Sequence, residues 1–181
     1  LIKKTSLAMI AGAFILSASI AQADIRPAVV YDAAGKNDKS FNEAVYNGVV
    51  RFMNDTGIAV TELEPTNEAQ MEQSLMKLAQ RGYSPIVAVG FTFAGPLTVA
   101  AEAYPDTSFT LIDMVVGLDN VQNVIYKEHE GSFLVGVLAA MNSESGTVGF
   151  VGGMDIPLIS RFECGYKQGV KWQDSSMNIL A

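Results

Sequence analysis

Apolar residues along the chain recur with two different periods, which predicts alternating strands and helices. Short apolar runs typical of buried strands occur at residues 26–31, 59–63, 85–89, 108–112, 121–126, 147–151 and 178–181. Between them, apolar residues every three or four positions predict helices at 41–56, 67–81, 96–104, 130–141 and 157–172. This strict alternation predicts an α/β fold, in which helices cover both faces of a parallel sheet.

Two of these helices begin with a recognisable capping pattern. Ser40 followed by Glu43 has the spacing of a capping box, which predicts that the Ser40 side chain caps the first helix. Asn67 followed by Gln70 predicts the start of the second helix in a similar way. Gly57 is expected to end the first helix, because glycine readily adopts the left-handed conformation found at helix ends.

The N-terminal segment differs from the rest and predicts a signal peptide over residues 1–23. Lys3 and Lys4 precede an apolar run at 7–20, which ends before a small-residue cleavage site. The alternative is a membrane anchor, but the run contains two serines and is too short to cross the bilayer comfortably. Asp24 rather than cysteine follows the predicted cleavage site, so we expect a free periplasmic protein without a lipid anchor.

Composition excludes several classes of function. The chain has a formal charge of −7, which argues against a nucleic-acid partner because phosphates require a basic surface. One histidine and one cysteine exclude a disulfide framework and zinc sites built from these residues. No glycine motif of the dinucleotide-binding or Walker type is present, and neither a cofactor nor a metal is predicted.

Candidate binding residues follow the predicted strands, at the sheet edge where ligands of parallel α/β proteins bind. Asp32 follows the first strand, Gly90 the third and Asp113 the fourth, while Phe41 lies in the segment after Asp32. Carboxylates accept hydrogen bonds from hydroxyl or N–H groups, and an aromatic ring can stack on a planar base. The pattern therefore suits a neutral, hydroxylated and partly aromatic small molecule.

Each candidate residue also has a purely structural interpretation. Phe41 could pack into the core at the start of the first helix, since large apolar residues are usually buried. Asp113 could stabilise a turn after its strand. Asp38 and Ser40 could serve only the N-terminus of the first helix.

A series of motifs then points to a known family. Asp32 precedes Asp-Lys-Ser-Phe-Asn at 38–42, and further motifs lie at 86–91, 104–106, 109–113, 123–124, 130–136, 149–153 and 157–165. In residue type and order they resemble the Bmp/PnrA-type basic membrane protein family. The resemblance covers nearly all of the chain after residue 23. Members of that family are substrate-binding proteins of ABC importers, and several bind purine nucleosides.

The resemblance implies a type I periplasmic-binding-protein fold, in which two α/β lobes close on a ligand. The first lobe is expected at residues 24–120 and the second from 121 to 181. The family continues well past this point, so the resemblance implies a second lobe that is incomplete and a chain that is truncated at its C-terminus.

The resemblance also implies roles for individual residues. Phe41 would stack on a purine, Asp32 would contact the base, and Asp113 would hold ribose hydroxyls. Asp38 and Asn42 match positions of the same motif and Gly90 ends a matching strand, so these three residues are also predicted to belong to the ligand-binding site. The implied protein is not an enzyme, and its partner is an ABC permease in the inner membrane.

Two other functions are consistent with the sequence. A sensory module of the same fold would present a bound small molecule to a membrane receptor. A nucleoside hydrolase would use Asp32 and Asp113 as acid and base, although no nucleophile–base pair or metal cluster accompanies them. A cytoplasmic repressor is excluded by the predicted signal peptide and by the lack of a basic DNA-binding segment.

Overall fold

The computed structural model describes residues 25–181, and the predicted signal peptide at 1–23 lies outside them. The order of strands and helices is the predicted one. The elements are β1 (Ala28–Val30), α1 (Phe41–Thr56), β2 (Thr61–Leu63), α2 (Glu68–Gln80), β3 (Ile86–Val89), a 3-10 helix (Phe91–Phe93), α3 (Ala94–Ala103), β4 (Phe109–Ile112), β5 (Val121–Val124), α4 (Glu128–Asn142), β6 (Thr147–Gly149), α5 (Pro157–Gln173) and β7 (Asn178–Leu180).

Five parallel strands form the larger sheet, in the order β2-β1-β3-β4-β5. Alternate residues of β1 face opposite sides of it, as the pleat of a strand requires. Ala28 and Val30 pack with α2 and α3, where Leu97 is fully buried. Val29 packs on the other side with Val49 of α1. The predicted sheet with helices on both faces is therefore present, and we call β1–β5 with α1–α3 the first lobe.

The predicted boundary between the lobes, at residues 120 and 121, is wrong. Strand β5 was expected to open the second lobe, but it pairs with β4, with Phe109 opposite Val121 and Ile112 opposite Val124. Burial explains this pairing, because Val121 packs into the same apolar core as Phe109. The first lobe therefore includes β5, and the chain leaves its sheet only after Val124.

The remaining elements form a second, smaller unit, which we call the second lobe. Its parallel strands β6 and β7 pair with each other, and Val170 of α5 is fully buried in its core. Helices α4 and α5 approach closely at glycines. A Cβ atom placed on Gly136 would lie 2.1 Å from the carbonyl oxygen of Tyr166, and one on Gly169 would lie 2.0 Å from that of Phe133. Only glycine allows the two backbones to pack this closely.

The structure confirms two of the predicted helix ends and contradicts a third. Asn67 caps α2 as predicted, since its side chain accepts a 3.0 Å hydrogen bond from the backbone N–H of Gln70. Gly57 ends α1 as predicted, in the left-handed conformation at a φ of 73°. Within residues 25–181 the Ser40 side chain makes no capping bond, so the capping-box prediction is wrong. Asp38, two residues earlier, accepts the backbone N–H of Glu43 that the Ser40 side chain was expected to bind, and it also accepts those of Ser40 and Asn42.

Candidate ligand-binding site

Asp38 organises the N-terminus of α1. Its Oδ1 accepts backbone hydrogen bonds from Ser40 at 2.8 Å and Glu43 at 3.1 Å, and its Oδ2 accepts one from Asn42 at 3.0 Å. Desolvation raises the pKa of Asp38, but the hydrogen bonds from Asn42, Glu43 and Ser40 together outweigh it and hold the pKa below its ordinary value. Its structural role at the helix start is therefore observed directly.

Asn42 connects this helix start to the end of β1. Its side-chain amide donates a 2.7 Å hydrogen bond to Oδ1 of Asp32 and a 3.2 Å bond to Oδ2 of Asp38. Asn42 is only 1% exposed, and its Oδ1 has no hydrogen-bond partner within residues 25–181. The carboxylates of Asp32 and Asp38 thus form one hydrogen-bond network around the buried side-chain amide of Asn42.

Gly90 brings the end of β3 next to this network. Its φ of 107° is a conformation that residues with side chains rarely adopt. A Cβ atom at this position would lie 3.5 Å from Oδ2 of Asp32 and 3.8 Å from Cε1 of Phe41. The backbone of β3 therefore passes close to both side chains, and the three residues lie together at one edge of the sheet.

Asp113 occupies the corresponding position after β4. It has a φ of 70°, and its backbone N–H donates a 2.9 Å hydrogen bond to the carbonyl oxygen of Val124. Burial raises the pKa of the Asp113 carboxyl above its ordinary value, repulsion from Glu128 raises it further, and Arg161 acts in the opposite direction. Asp113 is therefore a partly desolvated carboxyl group with a second carboxylate nearby.

Phe41 and Asp113 line the same cavity. Its volume is about 530 Å³, within the range of small-molecule pockets, and its walls are Phe41, Ala44, Val45, Asp113, Tyr126, Glu128 and Phe162. Phe41 is half-buried and packs against the apolar core on the α1 side of the sheet. Its predicted core role and its position at the cavity are thus compatible, because one part of the ring packs inward while another lines the cavity.

Two charged residues of this region were missed by the sequence patterns. Glu128, in the first turn of α4, has a side chain only 4% exposed and forms an ion pair with Nε of Arg161 on α5. In the sequence, Glu128 lies among charged residues that look like an exposed helix start. Its burial results from the packing of α5 against α4, which no local pattern indicates.

All six residues predicted from the sequence lie near the carboxyl ends of β1, β3 and β4. Asp32, Asp38 and Asn42 are joined by hydrogen bonds, Gly90 lies against Asp32 and Phe41, and Phe41 shares the cavity with Asp113. Across residues 25–181, no group of three or more His, Cys, Asp or Glu side chains could hold a metal ion. The same residues contain no helix long and apolar enough to cross a bilayer.

Comparison with solved structures identifies the class of protein. A solute-binding protein of an ABC transporter system from Aeropyrum pernix K1 superposes with a TM-score of 0.76 at 33% identity, covering 86% of this chain and 46% of that one. The predicted fold class, α/β of the periplasmic-binding-protein type, is confirmed. The family of PnrA-like ABC transporter substrate-binding proteins matches residues 25–180, and the chain belongs to this family.

Curated relatives agree with this assignment. An uncharacterized lipoprotein of Pyrococcus abyssi is 36% identical over 154 residues, covering 82% of this chain and 38% of that protein. The ABC transporter nucleoside-binding protein BmpA of Lactococcus lactis is 29% identical over 161 residues, covering 86% of this chain and 46% of that protein. The chain thus spans less than half the length of these relatives.

Proposed function

We propose that the protein is the substrate-binding component of an ABC importer and that its ligand is a purine nucleoside. The observation that carries this proposal is the shared cavity of Phe41 and Asp113, which offers an aromatic ring and a carboxylate to one small molecule. Membership of the PnrA-like family supports the transport role. The Lactococcus lactis relative is named for nucleoside binding, which supports the ligand class.

The proposed binding mode assigns one task to each part of the site. Phe41 stacks on the purine, since ring faces attract planar bases. Asp113 accepts hydrogen bonds from ribose hydroxyls, and Asp32 contacts the base through the carboxylate oxygen that Asn42 leaves free. Gly90 keeps the space between Asp32 and Phe41 open, because a side chain there would enter it.

Asp38 and Asn42 act on the ligand through position rather than contact. Asp38 caps α1 and Asn42 holds Asp32, so together they fix the backbone that carries Phe41. In this mode the two lobes close on the bound nucleoside, and the closed form is the one that the permease recognises.

The proposal also includes the location of the protein, which is the periplasm. The signal peptide at 1–23 predicts export, and the absence of cysteine at Asp24 predicts a protein free in the periplasm. Relatives in Pyrococcus abyssi, Pyrococcus furiosus and Pyrococcus horikoshii are named lipoproteins, so the alternative is a lipid-anchored form of the exported protein. The mass of the exported protein, measured intact, distinguishes the two forms.

Calorimetric titration tests the ligand class. The natural protein, expressed from its complete gene, is titrated with inosine, adenosine and guanosine, and with free ribose and free hypoxanthine as controls. We expect saturable heat with at least one nucleoside and weaker binding of free ribose and of free hypoxanthine. Binding of another solute without any nucleoside would contradict the proposal. Analysis of the inosine sample for released hypoxanthine separates binding from hydrolysis, and its release would instead support an enzyme.

A further inference from the structure

Glu128 is a buried carboxylate at the wall of the proposed nucleoside cavity. Its side chain is 4% exposed, although it begins a helix in a run of charged residues. It lines the same cavity as Phe41 and Asp113. A carboxylate is costly to remove from water, so its oxygens need partners at this position.

The protein supplies only part of what the Glu128 carboxylate requires. Arg161 approaches Oε1 through Nε, which compensates the charge from the α5 side. Neither carboxylate oxygen of Glu128 accepts a hydrogen bond within residues 25–181. A buried acceptor without a partner costs free energy, which a donor group entering the cavity would recover.

The position of Asp113 indicates which donor fits. Asp113 lines the same cavity, and the charge of Glu128 acts on it directly. Two carboxylates beside one cavity can each accept a hydrogen bond from a different hydroxyl of the same ligand. Neighbouring hydroxyls on a sugar ring provide that pair of donors.

We propose that Glu128 is a ligand-binding residue that selects for the ribose, accepting a hydrogen bond from one hydroxyl while Asp113 accepts from the neighbouring one. Arg161 acts as a positioning residue that holds the Glu128 carboxylate through their ion pair. This inference rests on the proposed function and adds discrimination between ribonucleosides and deoxyribonucleosides.

A purely structural role for Glu128 makes a different prediction. If the ion pair with Arg161 served only to join α4 to α5, its loss would lower stability and would weaken all ligands equally. A ligand-binding role instead predicts a loss that depends on which hydroxyl the ligand carries. Comparing ligands on one variant therefore separates the two roles.

The experiment uses the natural protein and its variants Glu128→Gln and Glu130→Gln. Glu130 is the matched control, because it lies on the same helix turn, is 59% exposed and, among residues 25–181, pairs only with Lys127. Each protein is titrated with inosine, 2′-deoxyinosine and 3′-deoxyinosine. We expect Glu128→Gln to bind inosine about tenfold more weakly, as for a lost hydrogen bond to a charged group, and Glu130→Gln to match the natural protein.

The test depends on how the loss of affinity in Glu128→Gln differs between inosine and its two deoxy analogues. Glu128→Gln should lose little affinity for the one deoxy analogue that lacks the hydroxyl bound by Glu128. Equal losses for all three ligands, or no loss for inosine, would overturn the inference while leaving the proposed function intact. Failure of the natural protein to bind any nucleoside would overturn both.

Two further measurements show whether a loss of affinity in Glu128→Gln results from a folding defect. The double variant Glu128→Gln/Arg161→Gln removes both charges, so no buried ion is left without its partner. The natural protein alone provides the second check, because each deoxy analogue should bind about tenfold more weakly than inosine. Binding of either analogue as tightly as inosine would overturn the proposed pair of acceptors.

Discussion

The side-chain amide of Asn42 donates a 2.7 Å hydrogen bond to Oδ1 of Asp32, and this bond joins the start of α1 to the end of β1. Asn42 is buried and directly follows Phe41, so the bond also restricts the backbone that carries the aromatic ring. The proposed binding surface is therefore organised before any ligand arrives. Such preorganisation reduces the entropy that is lost when a small molecule binds.

Replacement of Phe41 by alanine should weaken nucleoside binding by roughly 10- to 100-fold, because a base stacked on an aromatic ring loses that contact. The matched control is Phe52→Ala, on the same helix, where Phe52 is 38% exposed and does not line the cavity with Asp113. Calorimetric titration of both variants with inosine provides the comparison. Equal affinities for the two variants would contradict stacking on Phe41.

The capping of α1 gives a second prediction, on stability. Asp38→Ala removes the acceptor of three backbone N–H groups and should lower the melting temperature by about 2–4 °C, whereas Ser40→Ala should leave it unchanged.

The same cap should make stability depend on pH. The pKa of Asp38 is lowered in the folded state, so the contribution of Asp38 to stability is present above the ordinary carboxyl pKa. That contribution is lost as the pH falls through the lowered value. Thermal melts at neutral and acidic pH test both statements, and a larger effect of Ser40→Ala would reverse the assignment of the cap.

Much of the candidate site could be predicted from the sequence because it depends on one general rule for parallel sheets. Parallel strands place their carboxyl ends at one edge, so Asp32, Gly90 and Asp113 had to lie there once the strands were identified. The resemblance of residues 38–42 to a family motif then indicated Phe41 and Asn42. Periodicity and motif were sufficient here because each strand end is identified from neighbouring residues, and the parallel sheet then brings these ends to one edge.

One feature that sequence reasoning missed is local: Asp38 rather than Ser40 caps α1, because the loop path, rather than the capping spacing, places the acceptor. The other missed features depend on contacts between distant parts of the chain. Strand β5 joined the first sheet because pairing with β4 buries Val121, and periodicity does not show which sheet a strand joins. Glu128 is buried only because α5 packs over it. No local pattern reports these contacts.

Nucleoside affinity should depend on pH through Asp113. Its pKa is raised by burial and by Glu128, so protonation begins at a higher pH than for an exposed aspartate. A protonated carboxyl group is a poorer acceptor for ribose hydroxyls, so affinity should fall as the pH decreases through that raised pKa. Titrations with inosine from neutral to mildly acidic pH measure the effect. Asp113→Asn should bind more weakly at neutral pH and with a smaller pH dependence, and an unchanged pH profile in this variant would exclude Asp113 as the titrating group.

The close packing of α4 against α5 gives the last prediction. Gly169→Ala places a methyl group 2.0 Å from the backbone carbonyl oxygen of Phe133, so the helices must separate, and we expect a loss of about 3 kcal/mol or more in the free energy of unfolding. Gly131→Ala is the matched control, because no atom of residues 25–181 outside its own helical backbone lies within 4 Å of its Cβ position. It should raise stability by roughly 0.5–1 kcal/mol, since alanine favours the helix over glycine. Urea denaturation of both variants measures the difference, and a tolerated Gly169→Ala would show that this contact does not determine how the second lobe packs.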